Sequence, residues 1–311
     1  MQESAAPVLR PLGIGDIVDR MITLYRGSPL LFGALALLPY LVFELISALV
    51  GVTVFFGMSS GLNNAGRVLN DPRSATSGQI ASLVGSAVVV AIIVIIVSLV
   101  VVSVQAAAIV DATAKRYLGT SATIGGSLRN GLRASGRLVV AYLLAVLLLV
   151  VVCSLFAGGL FVLGFLVNRT PALVALITFV GVVALFVGVF YFTASFMVMP
   201  AVVTVEGAGP VHALRRSWTL SNGYRWRILG LLLLLFVIVA VLSGLLSFVV
   251  LIGVSNQGPL QFALQQVVGL LITALWTPLE WGVFTILYYD LRVRKEAFDL
   301  QLAAEALPRD T

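Results

Sequence analysis

The chain has 311 residues, 60% of them hydrophobic and only 10% charged, with a formal net charge of +6. This balance excludes an ordinary water-soluble domain, in which about a quarter of residues are charged, and points to a membrane class. The excess of positive charge does not signal nucleic acid, because of where along the chain it falls.

Residues 12–26 predict an amphipathic helix. Ile14, Ile17, Val18, Met21, Ile22 and Tyr25 recur at helical spacing, while Asp16, Asp19, Arg20, Thr23 and Arg26 fall opposite. Such a helix is expected in the inner membrane interface with its apolar side down. Apolar stretches follow at roughly 29–57, 79–110, 138–166, 171–200, 228–254 and 260–289, each long enough for a bilayer core that needs about 20 residues per helix. Ser28-Pro29, Thr170-Pro171 and Gly258-Pro259 open the first, fourth and sixth, with proline at the first helical position. The second stretch is nearly all Val and Ile from Val88 to Val104. A strand reading fails there, because the run far exceeds a membrane strand of about 9–11 residues and an open sheet leaves backbone groups unpaired in lipid. The break Ser255-Asn256-Gln257-Gly258 divides the last two spans.

Two further segments resemble the first. Residues 121–137 carry Ile124, Leu128 and Leu132 on one face and Arg129, Arg133 and Arg137 on another; residues 208–227 carry Val211, Leu214 and Trp218 against Arg215, Arg216, Arg225 and Arg227. The expected fold is therefore all-α and membrane-embedded. Six transmembrane helices form three hairpins, each preceded by an amphipathic interfacial helix. The pseudo-threefold repeat covers roughly 10–118, 119–206 and 207–300, within one integral membrane domain over 1–311. Small residues in the spans, Gly158, Gly159, Gly164, Gly181, Gly188 and Ser243-Gly244, are expected to let helices approach closely.

Of the 19 Lys and Arg, only Arg67, Arg73 and Arg169 fall at the opposite ends of the spans from the rest. The positive-inside rule then places both termini in the cytoplasm, for a multi-pass protein of the inner (cytoplasmic) membrane. Residues 1–28 carry charges throughout and offer no cleavable signal, and no lipidation motif is present. The expected partners are the bilayer and anionic lipid headgroups, met through Arg129, Arg133, Arg137, Arg215 and Arg216; no nucleic acid partner and no cofactor are expected.

Cys153 and His212 are the only residues of their kinds. Together they cannot build a zinc site, a Ser-His-Asp triad or a two-metal phosphoesterase. Neither a Gly-x-Ser-x-Gly elbow nor a phosphate loop occurs. The sequon Asn168-Arg169-Thr170 sits in a tight turn before Pro171, which disfavours glycosylation.

Glu44 and Glu280 are the acids within spans, and carboxylates at such depth are costly and often functional. Pro39 and Pro278 precede them, each freeing a backbone carbonyl four residues earlier, at Leu35 and Ala274. Two kinked helices, each with an acid beside the kink, make a candidate intramembrane polar site with Gln105. The alternative is a protonated Glu bonded to Gln105, Ser47 or a free carbonyl. Past the last span, Asp290/Arg294, Arg292/Glu296 and Lys295/Asp299 are i, i+4 pairs, as are Asp16/Arg20 and Asp111/Lys115. This C-terminal helix is either a solvated end or a docking surface for a protein partner.

The opening Leu9-Arg10-Pro11-Leu12-Gly13-Ile14-Gly15-Asp16-Ile17-Val18-Asp19-Arg20 with Leu24-Tyr25-Arg26, the central Pro200, Glu206-Gly207, Pro210 and Ala213-Leu214-Arg215-Arg216-Ser217-Trp218, and the closing Tyr288-Tyr289-Asp290-Leu291-Arg292-Val293-Arg294-Lys295-Glu296 with Phe298-Asp299 carry a resemblance. They resemble bacterial glycerophosphoryl diester phosphodiesterase membrane domains. The resemblance implies a six-helix membrane module without the fused catalytic domain, and carries over no catalysis. The function expected from the sequence is a non-enzymatic membrane scaffold or accessory subunit. The alternative is a small-molecule or lipid permease using Glu44 and Glu280, and a membrane phosphodiesterase lacks visible ligands.

Overall fold

The computed structural model describes residues 11–57, 77–167, 170–253 and 259–305. Every element within them is an α-helix: α1 (Ile14–Gly27), α2 (Pro29–Gly57), α3 (Ser77–Tyr117), α4 (Ile124–Leu166), α5 (Pro171–Phe196), α6 (Met199–Val205), α7 (Pro210–Ser221), α8 (Arg225–Gly253), α9 (Pro259–Glu296) and α10 (Phe298–Glu305). Six helical stretches are long and apolar enough to cross a membrane, the fourth running from α5 into α6. The chain is thus a polytopic membrane protein. Residues 1–10, most of the loop after the first span, Asn168-Arg169 and the break at 254–258 lie outside the described residues.

Helices α3, α4 and α9 are far longer than a bilayer needs. At 43 residues, α4 spans about 65 Å. Segment 121–137, expected as a separate interfacial helix, is instead the first part of α4. The Thr123 hydroxyl caps it by accepting the Gly126 amide at 3.2 Å, and the helix then runs unbroken to Leu166. The reason is one continuous buried stripe, Ser127, Gly131, Ala134, Leu138 and Ala141, which keeps helical register against α3 from its first turn into the span. A break there would split the stripe. By contrast α7 is a separate helix, parted from α8 by Gly223 at φ +82°, a left-handed conformation that glycine adopts freely.

The fourth span does break. Pro200 lacks an N–H and its ring clashes with the carbonyl four residues back, so α5 ends at Phe196 and α6 begins at Met199. The Ser195 carbonyl in the last turn accepts the hydroxyls of Ser217 at 2.8 Å and Ser221 at 3.2 Å, both from α7. This bonding turns the face of α7 that carries Ala213, Ser217, Leu220 and Ser221 inward and leaves Val211 and Trp218 exposed.

The core is gathered at the end of the bundle that carries the basic residues. Ile17 and Met21 of α1, Phe32 and Leu35 of α2, Ile109 of α3 and Leu287 of α9 are fully buried there. Farther along, the helices expose their side chains: Phe161 is 76% and Phe179 69% accessible. Apolar surface on this scale suits a lipid environment, where hydrocarbon replaces the protein core as solvent. The helix α1 does not turn its apolar side to lipid as expected. Ile17 and Met21 pack into the protein, and Met21 fills the space over Gly282 of α9, where an added Cβ would collide with its sulfur.

The glycines expected to draw helices together mostly do not. Added Cβ atoms at Gly158, Gly159, Gly164, Gly188 and Gly244 would meet nothing within 4 Å, because no neighbouring helix packs directly over them. Gly181 does pack, against Leu160. A close approach of two helix backbones lies elsewhere, where Gly131 of α4 sits on Ala108 and the Val104 carbonyl of α3.

Candidate functional site

At the basic end, Asp290 of α9 is the hub of a closed polar ring. Its carboxylate has no exposed area. It accepts the Leu12 amide at 2.7 Å, Arg227 Nη1 at 2.7 Å and Arg294 Nε at 3.0 Å. The Leu12 carbonyl in turn accepts Arg227 Nη2, and Arg294 Nη2 at 2.9 Å. Both guanidiniums therefore bridge the same carboxylate and the same peptide. The ring ties the segment before α1 to the first turn of α8 and to α9. Burying a carboxylate is unfavourable unless charge-assisted bonds compensate it, and Asp290 has three donors.

A second ring lies beside it. Glu206, at the end of α6, accepts Tyr288 Oη at 2.7 Å and Arg216 Nε at 3.2 Å. Arg216 reaches on to Glu296 with Nη2 at 2.9 Å. Glu296 accepts Arg292 Nε at 3.1 Å, and Arg292 Nη1 returns to Tyr288 Oη at 3.3 Å. The hydrogen bond to Glu296 raises the Arg216 pKa against the lowering effect of burial, so the guanidinium is charged throughout the usable pH range. The Arg292 guanidinium also lies 3.9 Å from the Phe298 ring centroid, a cation–π contact that holds the start of α10.

Arg225, the first residue of α8, is built differently. Its guanidinium is 3.9 Å from the Trp218 ring centroid and 4.7 Å from that of Tyr191. Nη1 donates to Tyr191 Oη at 2.9 Å. The residue is 7% exposed, and its Nε and Nη2 are buried with no acceptor among the described residues.

A family model described as a domain of unknown function (DUF7847) matches residues 28–291. The chain belongs to the DUF7847 family. No curated protein and no solved structure matches it. The DUF7847 region takes in all six spans together with Glu206, Arg216, Arg225, Arg227, Tyr288 and Asp290, and leaves Leu12, Arg292, Arg294 and Glu296 beyond its ends.

In this DUF7847 chain the sequence-predicted residues have separate fates. Glu44 lies close to Tyr40 on its own helix, and Tyr40 also lies close to Thr273. Glu280, two helical turns from Thr273 along α9, lies close to the Trp276 side chain. Gln105 reaches neither acid; its Nε2 donates to the Ala36 carbonyl at 2.6 Å, next to the carbonyl that Pro39 frees. The Ala274 carbonyl freed by Pro278 accepts Tyr25 Oη at 3.3 Å. Among the basic candidates, Arg216 is held by two carboxylates, and Arg137 donates to the Gly207 carbonyl. Arg129, Arg133 and Arg215 are exposed and have no bonding partner among the described residues. Asp111 and Lys115 pair at 2.7 Å, and Asn130 of α4 donates to the same carboxylate at 3.1 Å.

Two of the three expected pairs at the end of α9 form, Asp290/Arg294 and Arg292/Glu296. Lys295/Asp299 does not. The helix stops at Glu296 and Ala297 takes φ +51°, so the i, i+4 geometry is lost and Lys295 Nζ donates to the Thr219 carbonyl at 2.7 Å instead. Asp16 likewise turns from Arg20 to accept the Gly13 amide at 2.9 Å, as in a capping box. Sequence reasoning missed Glu206 and Arg227 as hub partners. The signal for both was their acid or base type beside a helix end; their distance from Tyr288 and Asp290 in sequence hid the pairing.

Proposed function

We propose that this chain is a non-enzymatic scaffold or accessory subunit of the cytoplasmic membrane, with both termini in the cytoplasm and the polar rings at the cytoplasmic face. The observation that carries this reading is the pair of closed rings on Asp290 and Glu206. They cross-brace the starts of α1 and α8, the α6–α7 corner and α9, where a rocking or gated carrier needs its elements free to separate. The three hairpins, read as repeats with α1 and α7 as interfacial helices, present this braced platform beneath the lipid. Exposed Arg129, Arg133 and Arg215 suit anionic headgroups. The C-terminal helix past Ala297 is the surface offered to a protein partner. The resemblance to the phosphodiesterase-linked membrane module supports the same role, a membrane platform that serves another domain or chain.

The permease reading places its site at Glu44 and Glu280. Their neighbours differ, Tyr40 beside Glu44 and Trp276 beside Glu280, and Gln105 bonds the Ala36 carbonyl, which supports structural rather than transport roles. The test is purification of the full chain in mild detergent with identification of co-purifying proteins and lipids, beside the cellular phenotype of Glu44→Gln and Glu280→Gln. A stoichiometric protein partner, with both variants behaving as wild type, is the expected outcome. A phenotype from both variants without any partner favours the permease.

A further inference from the structure

Arg225 combines features that no other basic residue among the described residues shares. It is more than nine-tenths buried, its Nε and Nη2 have no acceptor among the described residues, and no carboxylate pairs with it. Arginine offers five donors, and leaving them unmet in a buried place is costly. The ring contacts with Trp218 and Tyr191 offset part of this cost through their π faces, but they accept no hydrogen bond from Nε or Nη2. Lys295 lies close enough to add charge of the same sign, while its acidic neighbour Glu296 is held by Arg216 and Arg292. The locality is short of one negative charge.

Trp218 and Tyr191 also form the wall of an apolar cavity of about 220 Å³ between α4 and α5. It continues past Leu149, Cys153 and Phe156 on one side and Gly188 and Ala184 on the other. Seven residues along each helix correspond to about 10 Å, directed from Arg225 toward the middle of the apolar spans. Neither an inorganic ion nor a polar metabolite fills such a shape; a hydrocarbon chain attached to an anion does. Trp218, which covers the guanidinium, is itself 43% exposed, so turning this one side chain uncovers the unmet donors from the membrane side.

We propose that this is a binding site for one anionic phospholipid. The phosphate accepts from Arg225 Nε and Nη2, and an acyl chain occupies the α4/α5 cavity. The site deepens the lipid-contact reading above and rests on its placement of this end at the headgroup level, but it uses none of the exposed arginines named there.

The test is native mass spectrometry of the full chain, equilibrated in detergent with equal phosphatidylglycerol and phosphatidylcholine, with and without excess inorganic phosphate. The wild type is expected to retain one phosphatidylglycerol with a preference of roughly tenfold, as one well-made charge-assisted contact supplies. Arg225→Gln removes the donors. Gly188→Leu fills the cavity, where an added Cβ has open space, and leaves Arg225 intact should the first variant fold poorly. Loss of the preference in Gly188→Leu, and in Arg225→Gln if it folds, supports the site. Its survival in Gly188→Leu overturns the acyl-chain assignment, and displacement by inorganic phosphate overturns the lipid as source. Wild type without a preference overturns the whole proposal. Loss only in the triple variant Arg129→Gln, Arg133→Gln, Arg215→Gln also overturns it, while sparing the surface-contact reading.

Discussion

Leu12 and Asp290 are 278 residues apart, yet the Leu12 amide donates to the Asp290 carboxylate at 2.7 Å. Arg227 and Arg294 each bond both that carboxylate and the Leu12 carbonyl. The chain is thereby closed near its two ends onto the first turn of α8.

Removing the hub leaves two guanidiniums and an amide with no anion. Asp290→Ala is expected to cost about 3–5 kcal/mol, the usual result of breaking one side of a buried pair. Arg227→Met in the same background is expected to add far less than it costs alone, since the two share one ring. Denaturation in detergent, followed by circular dichroism, checks both. Additive losses would mean that the ring is not a unit.

The contact between α3 and α4 is expected to tolerate no added carbon at Gly131, whose built Cβ would lie 2.9 Å from Ala108 N, Ala108 Cβ and the Val104 carbonyl. Gly131→Ala forces backbone apart and is expected to cost about 1–3 kcal/mol. Gly158→Ala meets nothing within 4 Å and is expected to be neutral or slightly stabilising, because alanine favours the helix by up to about 1 kcal/mol. Midpoints of thermal unfolding compared between the two variants decide this.

Helix α1 is expected to satisfy a backbone group that α9 cannot. Pro278 leaves the Ala274 carbonyl without its helical donor, and Tyr25 Oη fills the place at 3.3 Å. Tyr25→Phe is expected to cost about 1 kcal/mol. In a Pro278→Ala background, where the helix supplies the N–H again, the same change should cost clearly less. Equal costs in both backgrounds would separate the tyrosine from the kink.

Six spans were legible because hydrocarbon length and lack of charge are properties of contiguous sequence. The pairs Asp290/Arg294, Arg292/Glu296 and Asp111/Lys115 were legible for the same reason, since i, i+4 spacing is local geometry. Lys295/Asp299 failed because nothing local announces that Ala297 will leave the helical region. The separate helix expected over 121–137 failed because amphipathic spacing reports a buried face but not what buries it; here α3 does, and α4 continues. The pairing of Arg227 with Asp290, across 63 residues, and of Arg216 with Glu296, across 80, depends on which helix ends meet. No spacing rule supplies that. Gln105 was expected to join Glu44 and Glu280, but it bonds the Ala36 carbonyl and not an acid.

The most direct measurement is of sidedness, since the braced platform is assigned to the cytoplasm. In a Cys153→Ser background, which removes the native thiol, Thr120→Cys marks the turn between α3 and α4 and Thr170→Cys the turn before α5. A membrane-impermeant maleimide applied to intact cells is expected to label Thr170→Cys and to reach Thr120→Cys only after the membrane is opened. Labelling of both from outside, or of Thr120→Cys alone, would contradict it.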